Sequence, residues 1–437
     1  MKKNVYVFFI KIIKSEEYKY LRIVYAVSFL FSIIMFLFGL KEVGDTASYY
    51  AAKDIILNGN FDHLRTPLYP IFLAITQHRF ITIFVQWLIF FVSIAFLYKT
   101  LENIKISSRL IFFIMIIYVC HPVFIYYQNQ RIPEALCISF SSIFAYYLVA
   151  FIKTEKISYL WIFHTIILCL ILLKPGFLFL LIIPVMLLLY IFFAKKKFVL
   201  SSIMPFLLVL LLIGAYGFAI KKTYGVYSLS SVSDVNLYWM LRKQDKINLN
   251  SIENGEVKSF VSEKINIKYE NIWNYWVEAN EIFNQYGWNE LHNIVRGSLK
   301  ENYKSILFDK KNLLAIKNNL YDPVGRSLDF FVFRNACKEY DIANFFPYFN
   351  FYVLLFILLI YFGLITKQVY SLRAIPVIST LFLLYIVANF VSLILTAPNN
   401  YGRLIVPSIS ILLIVCGQCV EWFVLFIQKK EKQFKLL

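Results

Sequence analysis

Residues 44–72, GDTASYYAAKDIILNGNFDHLRTPLYPIF, place three acids (Asp45, Asp54, Asp62), one arginine (Arg65) and two prolines (Pro67, Pro70) directly after the first long apolar run. A carboxylate within hydrogen-bond reach of a hydroxyl or amine takes its proton, and a guanidinium fork binds phosphate or carboxylate oxygens in pairs. No Gly or Pro interrupts 45–57, and Asn58-Gly59-Asn60 is a helix stop, so a helix is expected there. On that helix Asp45 and Tyr49 are four apart and share a face. Asp54, nine residues on, points elsewhere at about 100° per residue. Asp45 is therefore the acid set apart, while Asp54 and Asp62 read as solvated. Pro67 and Pro70 stiffen the segment that carries Arg65. The same residues also fit a plainer role, with Asp45 capping the helix and Arg65 reaching for lipid headgroups.

The surroundings of this segment are set by composition. The chain has 437 residues, of which 60% are hydrophobic and 16% charged, and its mean hydropathy is +0.66. Soluble domains carry about a quarter charged residues, so this is an integral membrane protein. A bilayer-spanning helix needs roughly 20 mostly apolar residues. Windows of that kind fall at 21–40, 81–98, 109–127, 134–152, 158–173, 176–194, 198–219, 348–366, 375–396 and 404–427, about ten spans.

The 44 Lys+Arg outnumber the 26 Asp+Glu, which on a soluble domain would suggest nucleic acid. Here the cations alternate with the spans: Lys2, Lys3, Lys11 and Lys14, then Lys99, Lys105 and Arg109, then Lys153 and Lys156, then Lys195, Lys196 and Lys197, and finally Lys367, Arg373 and Lys429–Lys435 share one side. No nucleic-acid partner is expected. The positive-inside rule puts both termini in the cytoplasm and makes 41–80, 128–133, Lys174-Pro175, 220–347 and 397–403 the outer loops. The first span is read as an uncleaved anchor, because no small-x-small cleavage pattern follows it before Lys41.

The large loop 220–347 has ordinary soluble composition and four of the seven tryptophans (Trp239, Trp273, Trp276, Trp288). Its apolar residues recur at helical spacing, so a small helical outer domain is expected. The tryptophans there serve either interface packing or stacking on sugar rings. Of six cysteines only Cys337 lies in this loop, which argues against an outer disulfide framework. Cys416-Gly417-Gln418-Cys419 lies inside a span and reads as packing. The absence of an ATP-binding glycine loop excludes a transporter with its own ATPase. The expected organisation is a transmembrane module at 1–219, an extracytoplasmic domain at 220–347, and C-terminal transmembrane helices with a basic tail at 348–437.

Asp45-x-x-x-Tyr49, Ala51-Ala52, Asn58-Gly59 and Arg65-x-Pro67-Leu68-Tyr69-Pro70 resemble the first outer loop of the GT-C membrane glycosyltransferases, especially the bacterial branch of protein mannosyltransferases and lipid A aminoarabinose transferases. His121-Pro122 with Gln130-Arg131-Ile132-Pro133-Glu134 is similar to the family's entry into the fourth span. Leu173-Lys174-Pro175-Gly176 resembles its Arg-Pro step, Lys222–Leu237 its entry into the outer domain, and Tyr401-Gly402-Arg403 with Pro407 the start of its last span. The chain departs from the aminoarabinose enzymes at Asp45-Thr46, Ser48 and Arg65-Thr66-Pro67, and no substantial outer domain follows the last window, which argues against lipid A as acceptor.

The resemblance implies an all-α polytopic GT-C-like bundle with an interfacial first outer loop. It further implies transfer of a sugar from a polyprenyl-phosphate carrier to an extracytoplasmic acceptor (a cell-surface glycan, lipid or protein) in the cytoplasmic (inner) membrane. Inverting displacement asks for one base, assigned to Asp45. Charge developing on the donor phosphate asks for cations, assigned to Arg65 and Arg403 with Lys174 and Arg131 behind them. Tyr49, Glu134, His63, Tyr69 and Tyr401 are the remaining substrate-binding candidates. For several of these the plainer alternatives stay open: Glu134 as a helix N-terminal charge, Arg131 and Lys174 as snorkelling side chains, Tyr49 as lipid packing. The five histidines form no spaced metal cluster, so no obligatory metal is expected, although some relatives use a divalent ion. Two other classes compete. One is an O-antigen-type polysaccharide polymerase or ligase, relying on Arg242, Arg296, Arg326 and Arg334 of the large loop. The other is a lipid-linked glycan flippase or transporter.

Overall fold

Apolar segments in lipid must satisfy their backbone hydrogen bonds internally, and helices do so. The computed structural model describes residues 18–37, 45–195, 200–269, 273–307, 374–396 and 406–434. Its helices, in chain order, are α1 Lys19–Leu37, α2 Asp45–Leu57, α3 Leu68–Thr76, α4 Arg79–Asn103, α5 Ser108–Cys120, α6 Pro122–Gln128, α7 Glu134–Thr154 and α8 Ile157–Leu173. A 3-10 turn, Pro175–Leu181, runs into α9 Ile182–Lys195 and then α10 Leu200–Tyr224. After these come α11 Val232–Lys243, α12 Gly255–Ile265, α13 Trp273–Tyr286, α14 Trp288–Leu307, α15 Ala374–Thr396 and α16 Ile409–Phe434. No strand occurs among the described residues.

The protein is a polytopic all-α membrane protein. The segments Arg79–Asn103, Glu134–Thr154, Pro175–Phe193 and Leu200–Tyr224 are each long and apolar enough to cross a bilayer, and shorter apolar stretches lie at Ser108–Cys120, Ile157–Leu173, Val377–Asn389 and Ile409–Leu425. α7 is the axis of the bundle: 83% of its most apolar window is buried, against 28% for α10. α4 and α8 pack along α7, and α15 and α16 reach it too. Tyr385 and Asn389 of α15 meet the Ser408 hydroxyl, which donates to the Tyr385 hydroxyl at 3.3 Å and accepts from the Asn389 amide.

The predicted span 109–127 is not one helix. α5 ends at Cys120, His121 is extended (φ −65°, ψ 115°), and Pro122 opens the short α6. Proline disfavours a helical residue before it and cannot donate to the preceding turn, so the apolar run bends there. The predicted window 348–366 lies outside the described residues.

The expected helix at 45–57 is present as α2. It stops at Gly59 in the left-handed region (φ 77°), with the Asn60 N–H closing onto the Ile55 carbonyl at 3.1 Å. The proline-stiffened stretch after Arg65 forms α3, which the sequence reading lacked. Pro70 sits in the first turn of α3, where helix N–H groups have no intrahelical partner to lose. α3 packs on α2, α4 and α8.

α11 to α14, within the loop expected to lie outside, are helical and have their own core of Val235, Tyr238, Leu241, Val257, Val261, Ile282, Leu291 and Ile294. At its centre Arg242, 1% exposed, donates through Nε to Glu278 at 2.8 Å and through its other nitrogens to the carbonyls of Lys264 and Ile265 at the end of α12. Trp239 and Trp288 are buried, and the Trp288 indole donates to Asp234 at 2.6 Å, so both serve packing.

Candidate active site

Asp45 opens α2, and Arg65 comes back to it from the loop before α3. The Arg65 guanidinium donates through Nη2 to Asp45 Oδ1 at 3.1 Å, through Nε to the Ser48 hydroxyl at 2.9 Å, and through Nη1 to the Tyr49 hydroxyl at 3.4 Å. Its central carbon lies 4.4 Å from the centroid of the Tyr49 ring, a cation–π contact. The Ser48 hydroxyl donates to the Asp45 carbonyl at 2.7 Å, which turns its lone pairs toward Arg65. The helical spacing that put Asp45 and Tyr49 on one face is what lets one guanidinium span both. Both ends of the pair are partly open, with Asp45 32% and Arg65 17% exposed.

Behind this pair the polar contacts run inward. The Tyr49 ring meets Tyr69 edge-on at 5.2 Å, and the fully buried Tyr69 hydroxyl donates to the Gln86 side chain at 2.9 Å. The Gln86 amide donates in turn to the carbonyls of Gln128 and Gln130, at 3.1 and 2.9 Å. Burial, with the neighbouring Tyr49 and Glu134 adding to it, holds the Tyr69 phenol well above its ordinary range, so it stays a hydrogen-bond donor. Beside it, at the first turn of α7, the Glu134 carboxylate is fully enclosed and accepts from the Lys174 ammonium at 2.9 Å. Lys174 reaches it because Pro175 forces an extended residue at the end of α8 (φ −155°, ψ 115°). Arg131 donates to the Tyr50 hydroxyl at 2.6 Å and stacks on that ring at 4.8 Å.

Thus Asp45, Tyr49, Arg65 and Tyr69 form one cluster, joined by Glu134 and Lys174 beneath and by Arg131 through Tyr50. His63 is not in it. Its Nδ1 lies 2.9 Å from the Ser231 hydroxyl and its ring stacks on Phe283 at 4.4 Å, at the junction with the α11–α14 helices. Arg403 and Tyr401 lie outside the described residues. Asp54 is solvated as expected, 68% exposed beside Lys53 at 3.2 Å. Asp62 is not: it is 5% exposed, and its Oδ1 accepts from the Leu64 and Arg65 N–H groups, each at 2.6 Å. An aspartate two and three residues ahead of two amides makes this local turn readily, and the spacing was open to view.

Among the described residues no three His, Cys, Asp or Glu side chains come together as a cation cage. The two acids of the cluster each face a cation instead, so the described residues of the cluster do not form a metal site.

No protein-family model matches the sequence, and no curated protein matches it. Among solved structures the chain is similar to the apo form of the oligosaccharyltransferase of Archaeoglobus fulgidus, with 13% identity and a TM-score of 0.46, covering 95% of this chain and 52% of that one. The chain spans about half the length of that protein.

Proposed function

We propose that the protein is an integral membrane glycosyltransferase of the GT-C kind, moving a sugar from a polyprenyl-phosphate carrier to an acceptor on the outer face of the cytoplasmic membrane. The observation that carries this reading is the partly open Asp45–Arg65 pair at the start of α2, 3.1 Å apart. It pairs a carboxylate that can take a proton with a guanidinium fork suited to phosphate oxygens. Nucleotide sugars are absent outside the membrane, so the outer-face reading asks for a lipid carrier as donor.

In the proposed step the acceptor oxygen or nitrogen attacks the anomeric carbon from the side opposite the phosphate. The bond from that carbon to the phosphate oxygen breaks, its electron pair stays on the phosphate, and the acceptor proton passes to Asp45. Arg65 shifts part of its fork from Asp45 to the phosphate oxygens and, with Lys174, Arg131 and Arg403, stabilises the charge of the departing polyprenyl phosphate. Tyr49, Tyr69, Tyr401 and Glu134 shape the site around the sugar.

The polymerase or ligase reading loses one of its arginines, because Arg242 is buried on Glu278. The test is incubation of the purified protein with a labelled polyprenyl-phosphate sugar and membrane extract as acceptor source. Release of free polyprenyl phosphate by wild type and none by Asp45→Asn supports the transferase. Transfer of whole lipid-linked oligosaccharides only, or movement of the lipid across the bilayer without release, would overturn it.

A further inference from the structure

We infer that the neck joining α10 to the α11–α14 helices, residues 224–231, holds Arg65 in its working position through the peptide groups of residues 61–65. The inference rests on the reading of Arg65 as a phosphate ligand. It makes Tyr224, Ser230, Ser231 and His63 positioning residues, and it makes donor affinity depend on the α11–α14 helices.

The peptide groups of this turn have a consistent set of partners. The Tyr224 hydroxyl donates to the Phe61 carbonyl at 2.6 Å, the Ser231 N–H to the His63 carbonyl at 2.7 Å, and the Ser230 hydroxyl to the Leu64 carbonyl at 2.6 Å. The Leu64 and Arg65 N–H groups go to Asp62, itself buried. Three contacts from the neck therefore hold the segment that ends at Arg65, more than 160 residues away in sequence. Side chains repeat the pattern. The Phe61 ring meets Tyr216 of α10 at 5.9 Å, and His63 is bracketed by Phe283, Tyr224 and Trp288. Ser230 and Ser231 are both buried, and the hydroxyl of Ser231, which opens α11, faces His63 rather than capping its own helix. A serine at a helix start ordinarily bonds that helix's own N–H groups, so this one is committed to the loop.

His63 gives the contact a proton-sensitive element. Burial lowers its imidazole below the ordinary value, and the Asp62 charge opposes this. The groups facing it are Asp62 on its own loop, Tyr224 of α10, Ser231 before α11, and Phe283 and Trp288 of α13 and α14, with Asp234 and His292 behind Trp288. A lowered value means that the released loop binds the proton more readily. The contribution of His63 is therefore present above about 6.5, the ordinary histidine value, and is lost as pH falls through the lowered one.

The experiment uses the full chain in lipid nanodiscs, with undecaprenyl phosphate as the probe, and compares wild type, Ser230→Ala, Tyr224→Phe, their double variant and His63→Gln. The double variant is expected to exchange the Leu64 and Arg65 amides about tenfold faster and to bind undecaprenyl phosphate severalfold more weakly, with unchanged helix content. On acidification wild type is expected to lose affinity more steeply than His63→Gln, a difference that a purely structural role of the neck would not produce. Unchanged exchange at these two amides overturns the hold itself. Faster exchange with unchanged affinity overturns its link to Arg65. Failure of wild type to bind undecaprenyl phosphate at all overturns the donor reading, and with it the affinity claim, while the exchange result still decides the hold.

Discussion

Glu134 and Lys174 pair across 40 residues of sequence: a carboxylate with no exposure at the start of α7 and, 2.9 Å away at the end of α8, an ammonium that keeps 17% exposure. Such a pair is weak as a source of stability but costly to break from one side, because the remaining charge stays enclosed. Lys174→Ala is expected to destabilise the folded protein by about 3 kcal/mol. The double variant Glu134→Gln/Lys174→Met should recover most of that loss. Thermal unfolding in detergent, followed by the loss of monodisperse protein, reads both. A single variant as stable as wild type would mean that Glu134 is reached by solvent or another cation.

Asp45 differs from Glu134 in being partly open, 32% exposed against none, so its loss is expected to show in chemistry rather than in folding. Asp45→Asn keeps the shape and an acceptor oxygen for Arg65 but removes the base. Release of polyprenyl phosphate should fall about a hundredfold or more, with membrane insertion unchanged. Full turnover in that variant would remove Asp45 from the mechanism.

Arg65→Lys keeps the charge and loses the fork, which here reaches Asp45, Ser48 and Tyr49 at once. A point cation cannot make these contacts together. Binding of undecaprenyl phosphate, measured by titration, is expected to weaken about tenfold in Arg65→Lys and further in Arg65→Ala. Equal affinity of all three proteins would identify Arg65 as a headgroup anchor.

Which of these relationships could be read beforehand follows from their distance along the chain. The α2 helix, the shared face of Asp45 and Tyr49 and the solvation of Asp54 all follow from 3.6-residue periodicity. The burial of Asp62 was a local matter too, but it depends on which way two amides point, and composition does not report that. The break at Pro122 was written in the sequence and masked by continuous hydropathy across it. In the sequence Glu134 and Lys174 read as separate charges, and Asp45 and Arg65 as an acid and a base at one interface. That they pair requires the α7–α8 packing and the return of the loop onto α2. His63 shows the limit most clearly: its partner Ser231 is 168 residues away, and nothing in the spacing of either residue refers to the other.

Tyr69 offers the last test, because it links the cluster to the bundle. Its hydroxyl is buried and donates to Gln86, whose own amide holds the carbonyls of Gln128 and Gln130 ahead of α7. Tyr69→Phe removes one oxygen without changing the edge contact with Tyr49, and leaves the Gln86 acceptor enclosed without that donor. The expected cost is about 1–3 kcal/mol, read as a lowered unfolding midpoint. If Tyr69 only supports the fold, Tyr69→Phe should leave the KM for the donor unchanged, and Gln86→Leu in that background should lower the unfolding midpoint further, since the Gln128 and Gln130 carbonyls then lose their donor too. If the Tyr69 hydroxyl also touches the sugar, Tyr69→Phe should raise the KM for the donor, whereas Gln86→Leu alone should not. Donor titrations of the three variants separate the two outcomes.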